Sequence, residues 1–207
     1  FNFNGNEQYT KLVGFYAPPS LLSIGENAFY YAIKLEDFRW NNNIVEIGRQ
    51  AFASDPSRQA HAIKVNELPE NLITLGANAF YSTTKNVVIT KIPSKLEEIG
   101  NWAFYCKDSD DGIGITEFGG ALKTIGDYAF ATVGAAIREN TIHIRRSVEK
   151  IGKQSFSNGA TSHYGKGKIE HILIERPEAD YGGPGAVLFD PKAQVSWGDS
   201  DITKEIA

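Results

Sequence analysis

The sequence predicts a β-rich solenoid of six rungs, capped at both ends, with short parallel strands and a single helical or 3-10 turn in each rung. Three observations carry that expectation. The hexapeptide I-G-x-x-A-F recurs six times, as IGENAF, IGRQAF, LGANAF, IGNWAF, IGDYAF and IGKQSF. Its glycines, Gly25, Gly48, Gly76, Gly100, Gly126 and Gly152, are 23, 28, 24, 26 and 26 residues apart, a period at which each unit must bury its apolar side against its neighbours. Finally, the consensus Phe always falls 12 positions after the apolar residue that stands eight before the glycine, whereas the segment after the Phe varies in length. The fixed part packs in register and the variable part is loop.

In chain order, residues 1–14 do not fit the repeat. They are expected to form an N-terminal cap, with Phe1, Phe3, Tyr9 and Leu12 covering the first rung. Residues 15–168 hold the six rungs. The position one before each glycine is aliphatic (Ile24, Ile47, Leu75, Ile99, Ile125, Ile151), as is the position four before it (Leu21, Ile44, Leu72, Leu96, Leu122, Val148). Eight before the glycine stand Ala17, Trp40, Leu68, Ile92, Phe118 and Ile144, and Pro, Asn or Gly follows in five of the six rungs.

The strand of each rung is placed around that last column. In IKVNEL, VVITKI and IGITEF apolar residues alternate and then slip by one, which predicts a strand with a bulge. The segments with Phe38 and Trp40, and with Ile142 and Ile144, alternate without a slip. G-x-x-A-F has no β-branched residue and sets its Ala and Phe one turn past the preceding aliphatic, the pattern of a short helical turn. Residues 169–207 add a last strand (Ile169, Ile172, Ile174) and a Pro- and Gly-rich C-terminal cap, which Phe189 and Trp197 are expected to close.

Composition narrows the function classes. A net charge of −4 and a pI near 5.6 argue against a nucleic-acid partner. Apolar runs are only a few residues long, so no membrane insertion by this segment is expected. No secretory signal pattern stands at its start. With no methionine anywhere, the chain is expected to be processed or excised from a longer product, and loss of a leader would imply export. The single cysteine, Cys106, cannot form an intrachain disulfide and reads as a small buried hydrophobe.

No catalytic or metal motif emerges, so neither an enzyme nor a cofactor is expected. His61, His143, His163 and His171 lack zinc spacing, and no nucleophile elbow, phosphate loop or dinucleotide fingerprint occurs. Asp108, Asp110 and Asp111 precede Gly112, but glycine falls fifth rather than sixth and the twelfth residue is Gly119, so a solvated loop is favoured over a calcium site.

Three surface features remain as candidate binding residues. Nine before the glycine run Tyr16, Arg39, Glu67, Lys91, Glu117 and His143. This row reads first as a ladder of alternating charges between rungs and second as a ligand-contacting row on the concave sheet. Two after the glycine stand Asn27, Gln50, Asn78, Trp102, Tyr128 and Gln154. Stacked amides and a Trp102–Tyr128 patch there suit packing first and sugar stacking second. The segment 157–168 offers Asn158, His163, Tyr164, Lys166 and Lys168 on a loop edge, the usual place for recognition on a rigid scaffold.

The rungs resemble the BspA-like leucine-rich repeat, most cleanly in LPENLITLGANAF and IPSKLEEIGNWAF, over residues 15–156. The resemblance implies a curved, right-handed leucine-rich-repeat solenoid with parallel strands. It also implies an interaction module of a bacterial cell-surface or secreted protein, of the adhesion type, with a protein or glycan ligand; separately, a monomer is expected. A structural spacer supporting another domain is the alternative. The family has no shared catalytic residues to carry over.

Overall fold

The computed structural model describes residues 11–54, 65, 67–82, 89, 91–105, 115, 118–131, 141–156, 171–181 and 194–198. Its strands are all parallel and fall in two columns. The first is a six-stranded sheet made from the residues just before each glycine: β2 (Ser23–Ile24), β4 (Glu46–Ile47), β5 (Thr74–Leu75), β6 (Glu98–Ile99), β7 (Thr124–Ile125) and β9 (Lys150–Ile151). Each strand is only two residues long, yet the register is unbroken: Ile24, Ile47, Leu75, Ile99, Ile125 and Ile151 lie opposite one another from rung to rung. In each, the second residue is buried and the first faces out, as the pleat requires.

The second column is the one the alternation predicts, and it forms strands at the two ends. β1 (Gly14–Tyr16) pairs with β3 (Asp37–Arg39) at the N-terminal end. At the other end β8 (Thr141–Ile144) pairs with β10 (His171–Ile174), which pairs in turn with β11 (Gln194–Trp197). In the middle rungs Val65, Leu68, Ile89, Ile92, Ile115 and Phe118 are buried. The inward residues are therefore three apart there, against two apart for Ile142 and Ile144, as the slipped pattern anticipates. Ile63, Val87 and Ile113 lie outside the described residues.

The consensus Phe residues form one buried ladder. Phe29, Phe52, Phe80, Phe104, Phe130 and Phe156 stack successively with centroids 5.1–5.6 Å apart and planes within 15° of parallel. The aliphatics one and four before the glycine flank it, nearly all of them fully buried. The core is thus continuous along the array.

The G-x-x-A-F segment differs from the helical or 3-10 turn expected of it. It is a hydrogen-bonded turn whose second residue after the glycine is left-handed. Asn27, Gln50, Asn78, Trp102, Tyr128 and Gln154 have φ between 48° and 59°. The Ala N–H donates back to the glycine carbonyl, as from Ala103 to Gly100 at 3.3 Å. The N–H groups of the left-handed residue and of the Phe point forward instead, to the next rung: Trp102 N to Asp127 O at 2.8 Å, Phe104 N to Ala129 O at 2.9 Å. A helix would turn those donors back on its own chain. Stacking the rungs claims them first.

Both ends are tied down. Leu12 packs against the first rung, with Phe15, Phe29 and Phe38 in ring contact. At the C-terminal end the 3-10 helix Glu178–Tyr181 brings Tyr181 into the core, where its hydroxyl donates to Val148 O at 2.5 Å. Trp197 lies against Tyr181 at 5.8 Å. Phe1, Phe3, Tyr9, Phe189 and Cys106 fall outside the described residues.

Candidate functional site

The charged row does not form an inter-rung ladder at its N-terminal end. Arg39 meets Asp37 of its own strand, Nε to Oδ1 at 3.2 Å, and no Arg39–Glu67 pair exists among the described residues. Residues two apart on a strand share a face, so the carboxylate nearest Arg39 belongs to its own rung. Tyr16, opposite Arg39 in register, donates its hydroxyl to Asp37 at 2.5 Å, and the guanidinium lies 4.8 Å over its ring. Hydrogen bonds from Tyr16 and then Arg39 hold the Asp37 carboxyl below the usual range, and the same bond raises the Tyr16 phenol.

Farther along, Glu67 and Lys91 are exposed and Glu117 lies outside the described residues. His143 is half-buried, with Nε2 2.9 Å from Glu175 Oε1. Glu175 also accepts the backbone N–H of Arg146 at 2.7 Å, so His143 belongs to the fastening of the last rungs. The described members of this row are not gathered into one site. Inter-rung ion pairs are also found in other columns, as Arg49 with Glu26 at 3.0 Å and Lys123 with Glu97 at 2.7 Å.

Asn158, His163, Tyr164, Lys166 and Lys168 lie outside the described residues, as do Asp108, Asp110 and Asp111. No group of three His, Cys, Asp or Glu side chains is placed to hold a metal among the described residues.

What the structure does bring together is the column two after the glycine and the column one after the consensus Phe. Trp102 stacks on Tyr128 with centroids 4.2 Å apart and planes 18° from parallel. Tyr105 meets Trp102 edge-on at 4.8 Å and stacks on Tyr81 at 5.1 Å. All four rings are half-buried. Beside them runs a groove of about 460 Å³ walled by Tyr30, Gln50, Ser54, Asn78, Tyr81 and Trp102. None of these side chains is charged at neutral pH. Stacked amides do not form: among the described residues, the side chains of Gln50 and Asn78 have no hydrogen-bond partner.

The backbone explains how the column can vary. A left-handed φ suits Asn, and is an outlier for a bulky residue such as Trp or Tyr. Here each of the first five turns is clamped by two N–H groups donated to the next rung, so the position accepts Asn, Gln, Trp or Tyr without losing its shape. Trp102 and Tyr128 are visible in the sequence as exceptions to an amide column. Tyr81 and Tyr105 are found only by reading the next column, in which Tyr30, Ala53, Tyr81, Tyr105 and Ala131 follow the Phe.

The family comparison agrees with this architecture. Six copies of a BspA type leucine-rich repeat region match residues 7–67 and 23–163. The chain belongs to the BspA-type leucine-rich repeat family. Among curated proteins none matches it. Two solved structures are similar. One is a leucine-rich cell surface protein of Faecalibacterium prausnitzii A2-165, with 15% identity, a TM-score of 0.36 and 89% of this chain covered. The other is a leucine-rich repeat protein of Bacteroides ovatus, with 19% identity, a TM-score of 0.34 and 89% covered. The chain spans 60% of the length of the first and 51% of the second. Among the described residues, no helix is long and apolar enough to cross a membrane.

Proposed function

We propose that this chain is a non-enzymatic interaction module of a bacterial cell-surface or secreted protein, adhesion-type, acting as a monomer on a protein or glycan ligand. Family membership supports the surface setting. The observation that carries the binding role is the half-buried aromatic cluster of Tyr81, Trp102, Tyr105 and Tyr128 beside an uncharged groove. Core packing accounts for the buried Phe ladder and the aliphatic columns. It does not account for four rings left half exposed on one flank, the kind of surface that serves as an interface anchor.

The test uses the purified chain, immobilised and presented to epithelial cells, mucin and extracellular-matrix glycoproteins. Saturable retention above that of an unrelated solenoid is expected. No retention on any surface, with unchanged attachment of the parent protein after excision of these rungs, would establish the spacer reading instead. Two further variants place the contact: residues 157–168 replaced by a short Gly-Ser loop, and Lys91 and Glu117 reversed together. Loss with the first alone assigns the loop edge, which carries Asn158, His163, Tyr164, Lys166 and Lys168; loss with the second alone assigns the concave row.

A further inference from the structure

We infer that the groove beside Trp102 is a binding site for a neutral glycan, a chain of pyranose rings with equatorial hydroxyls, and that Trp102, backed by Tyr128, is its stacking platform. The inference rests on the interaction-module reading and narrows it to one ligand class.

Three features point to that ligand. The first is shape and surface. Trp102 has one side against Tyr128 at 4.2 Å and also walls the groove. A pyranose with equatorial substituents presents a flat face of C–H groups, which packs on an aromatic face as another ring would. The second is charge. Tyr30, Gln50, Ser54, Asn78, Tyr81 and Trp102 supply hydroxyl, amide and indole groups and no ion. A sulfated or sialylated chain, or an acidic or basic peptide, would find no countercharge among these lining residues. The third is unused hydrogen-bonding capacity. The Gln50 and Asn78 amides are without partners among the described residues, and each offers both a donor pair and an acceptor. That is the complement of a sugar hydroxyl, which gives one proton and accepts others.

Packing alone is the competing account of the aromatic pair, and the fold itself supplies the means to separate the two. Asn27 and Asn78 fill the same left-handed position in other rungs, with φ of 57° and 56°, beside 59° for Trp102 and 54° for Tyr128. Asn suits that conformation better than any aromatic residue. Trp102→Asn and Tyr128→Asn therefore keep the turn while removing the platform. Asn78→Gly, equally at ease with a positive φ, removes only an amide.

The experiment is isothermal titration of the purified chain with cellohexaose, laminarihexaose and xylohexaose, with heparin hexasaccharide as the charged control, alongside thermal melts of every variant. At least one neutral hexasaccharide is expected to bind, to quench Trp fluorescence and to raise the Tm, and heparin hexasaccharide to do none of these. Trp102→Asn should weaken binding at least about tenfold, the scale of losing one contact, with Tm unchanged or higher. Asn78→Gly should weaken it by a smaller factor. Three results would each overturn the proposal: no binding of any neutral hexasaccharide, tighter binding of the heparin fragment, or Trp102→Asn binding as the wild type does. Retention on cells or matrix that survives Trp102→Asn would reject the glycan groove while leaving the interaction module standing.

Discussion

Gly25 and Gly100 occupy the same place in the same turn, one in the first rung and one in the interior. A Cβ on Gly25 would meet nothing within 4 Å. On Gly100 it would lie 2.4 Å from Ala77 N and 2.6 Å from the carbonyl carbon of Gly76, in the rung before. Gly48, Gly76, Gly126 and Gly152 are equally crowded by their preceding rungs, and Gly25 alone in the column has no rung before it. The residue with a positive φ stands two positions later. The recurring glycine is therefore a condition of contact between rungs, and has no part in bending its own turn. The two requirements fall on different positions, which leaves the left-handed one free to vary in chemistry.

The largest effect expected inside the array comes from the Phe ladder. Phe104 is fully buried between Phe80 and Phe130, so Phe104→Ala should cost about 3–5 kcal/mol in a urea melt. A loss under about 1 kcal/mol would mean that the ladder is filled by relaxation and that the rungs are not held in register by it.

The glycine pair gives the next effect and breaks or sharpens the comparison directly. Gly100→Ala forces backbone against backbone and should cost about 2–3 kcal/mol, the upper part of the overpacking range. Gly25→Ala should be neutral, or gain up to about 0.5 kcal/mol through the unfolded chain. Equal losses at the two sites would place the glycine requirement within the turn after all.

Much of this was legible before any coordinates. Six recurrences of I-G-x-x-A-F imply a ladder of Phe29 through Phe156 because a repeat can bury an aromatic only against its own copies. The end strands with Phe38 and Ile142 followed from alternation. The six-stranded sheet did not, because a strand of two residues such as Glu98–Ile99 has no period to read. Nor did the turn, because Ala and Phe spaced like one helical turn say nothing of where the N–H groups of Trp102 and Phe104 bond. Of the candidate site, Trp102 and Tyr128 stood out as exceptions in an amide column. Tyr81 and Tyr105 did not, since only rung stacking brings the two columns together. At its N-terminal end the charge row departs from the expected ladder for a local reason: Asp37 lies on the same strand as Arg39 and pairs with it at 3.2 Å.

The C-terminal cap predicts a pH effect that the interior rungs do not share. Burial pushes the Tyr181 phenol up to about 12 from an ordinary value near 10. The neutral hydroxyl is thus favoured in the folded state, and its contribution is fully present below pH 10. Between pH 10 and 12 the unfolded chain loses this proton while the folded one keeps it, so stability falls as pH rises. Partial solvent screening brings the expected loss to about 1 kcal/mol. Tyr181→Phe should be less stable at pH 8 by about 1 kcal/mol, the value of the bond to Val148 O, and should lack this increment of alkaline loss. Parallel pH curves for the two proteins from 10 to 12 would contradict it.

The smallest effect concerns a column that changes character along the array. Three before the glycine the first three rungs carry Leu22, Val45 and Ile73, which are 58%, 37% and 41% exposed. The last three carry Glu97, Lys123 and Glu149, with Lys123 paired to Glu97 at 2.7 Å. The backbone is the same in both halves: Val45 N bonds Leu22 O at 2.8 Å, and Lys123 N bonds Glu97 O at 2.9 Å. The rung therefore does not require an apolar residue there. Continuing the charge alternation through Leu22→Lys, Val45→Glu and Ile73→Lys should change the folding free energy by no more than about 0.5 kcal/mol in total. Exposed substitutions lie in that range, and the ammonium that Ile73→Lys sets beside Glu97 offsets part of any lost packing. A loss of several kcal/mol would show that these three side chains are covered within the folded chain. Unchanged stability would make the apolar stripe a property of the surface alone, separate from what holds the solenoid together.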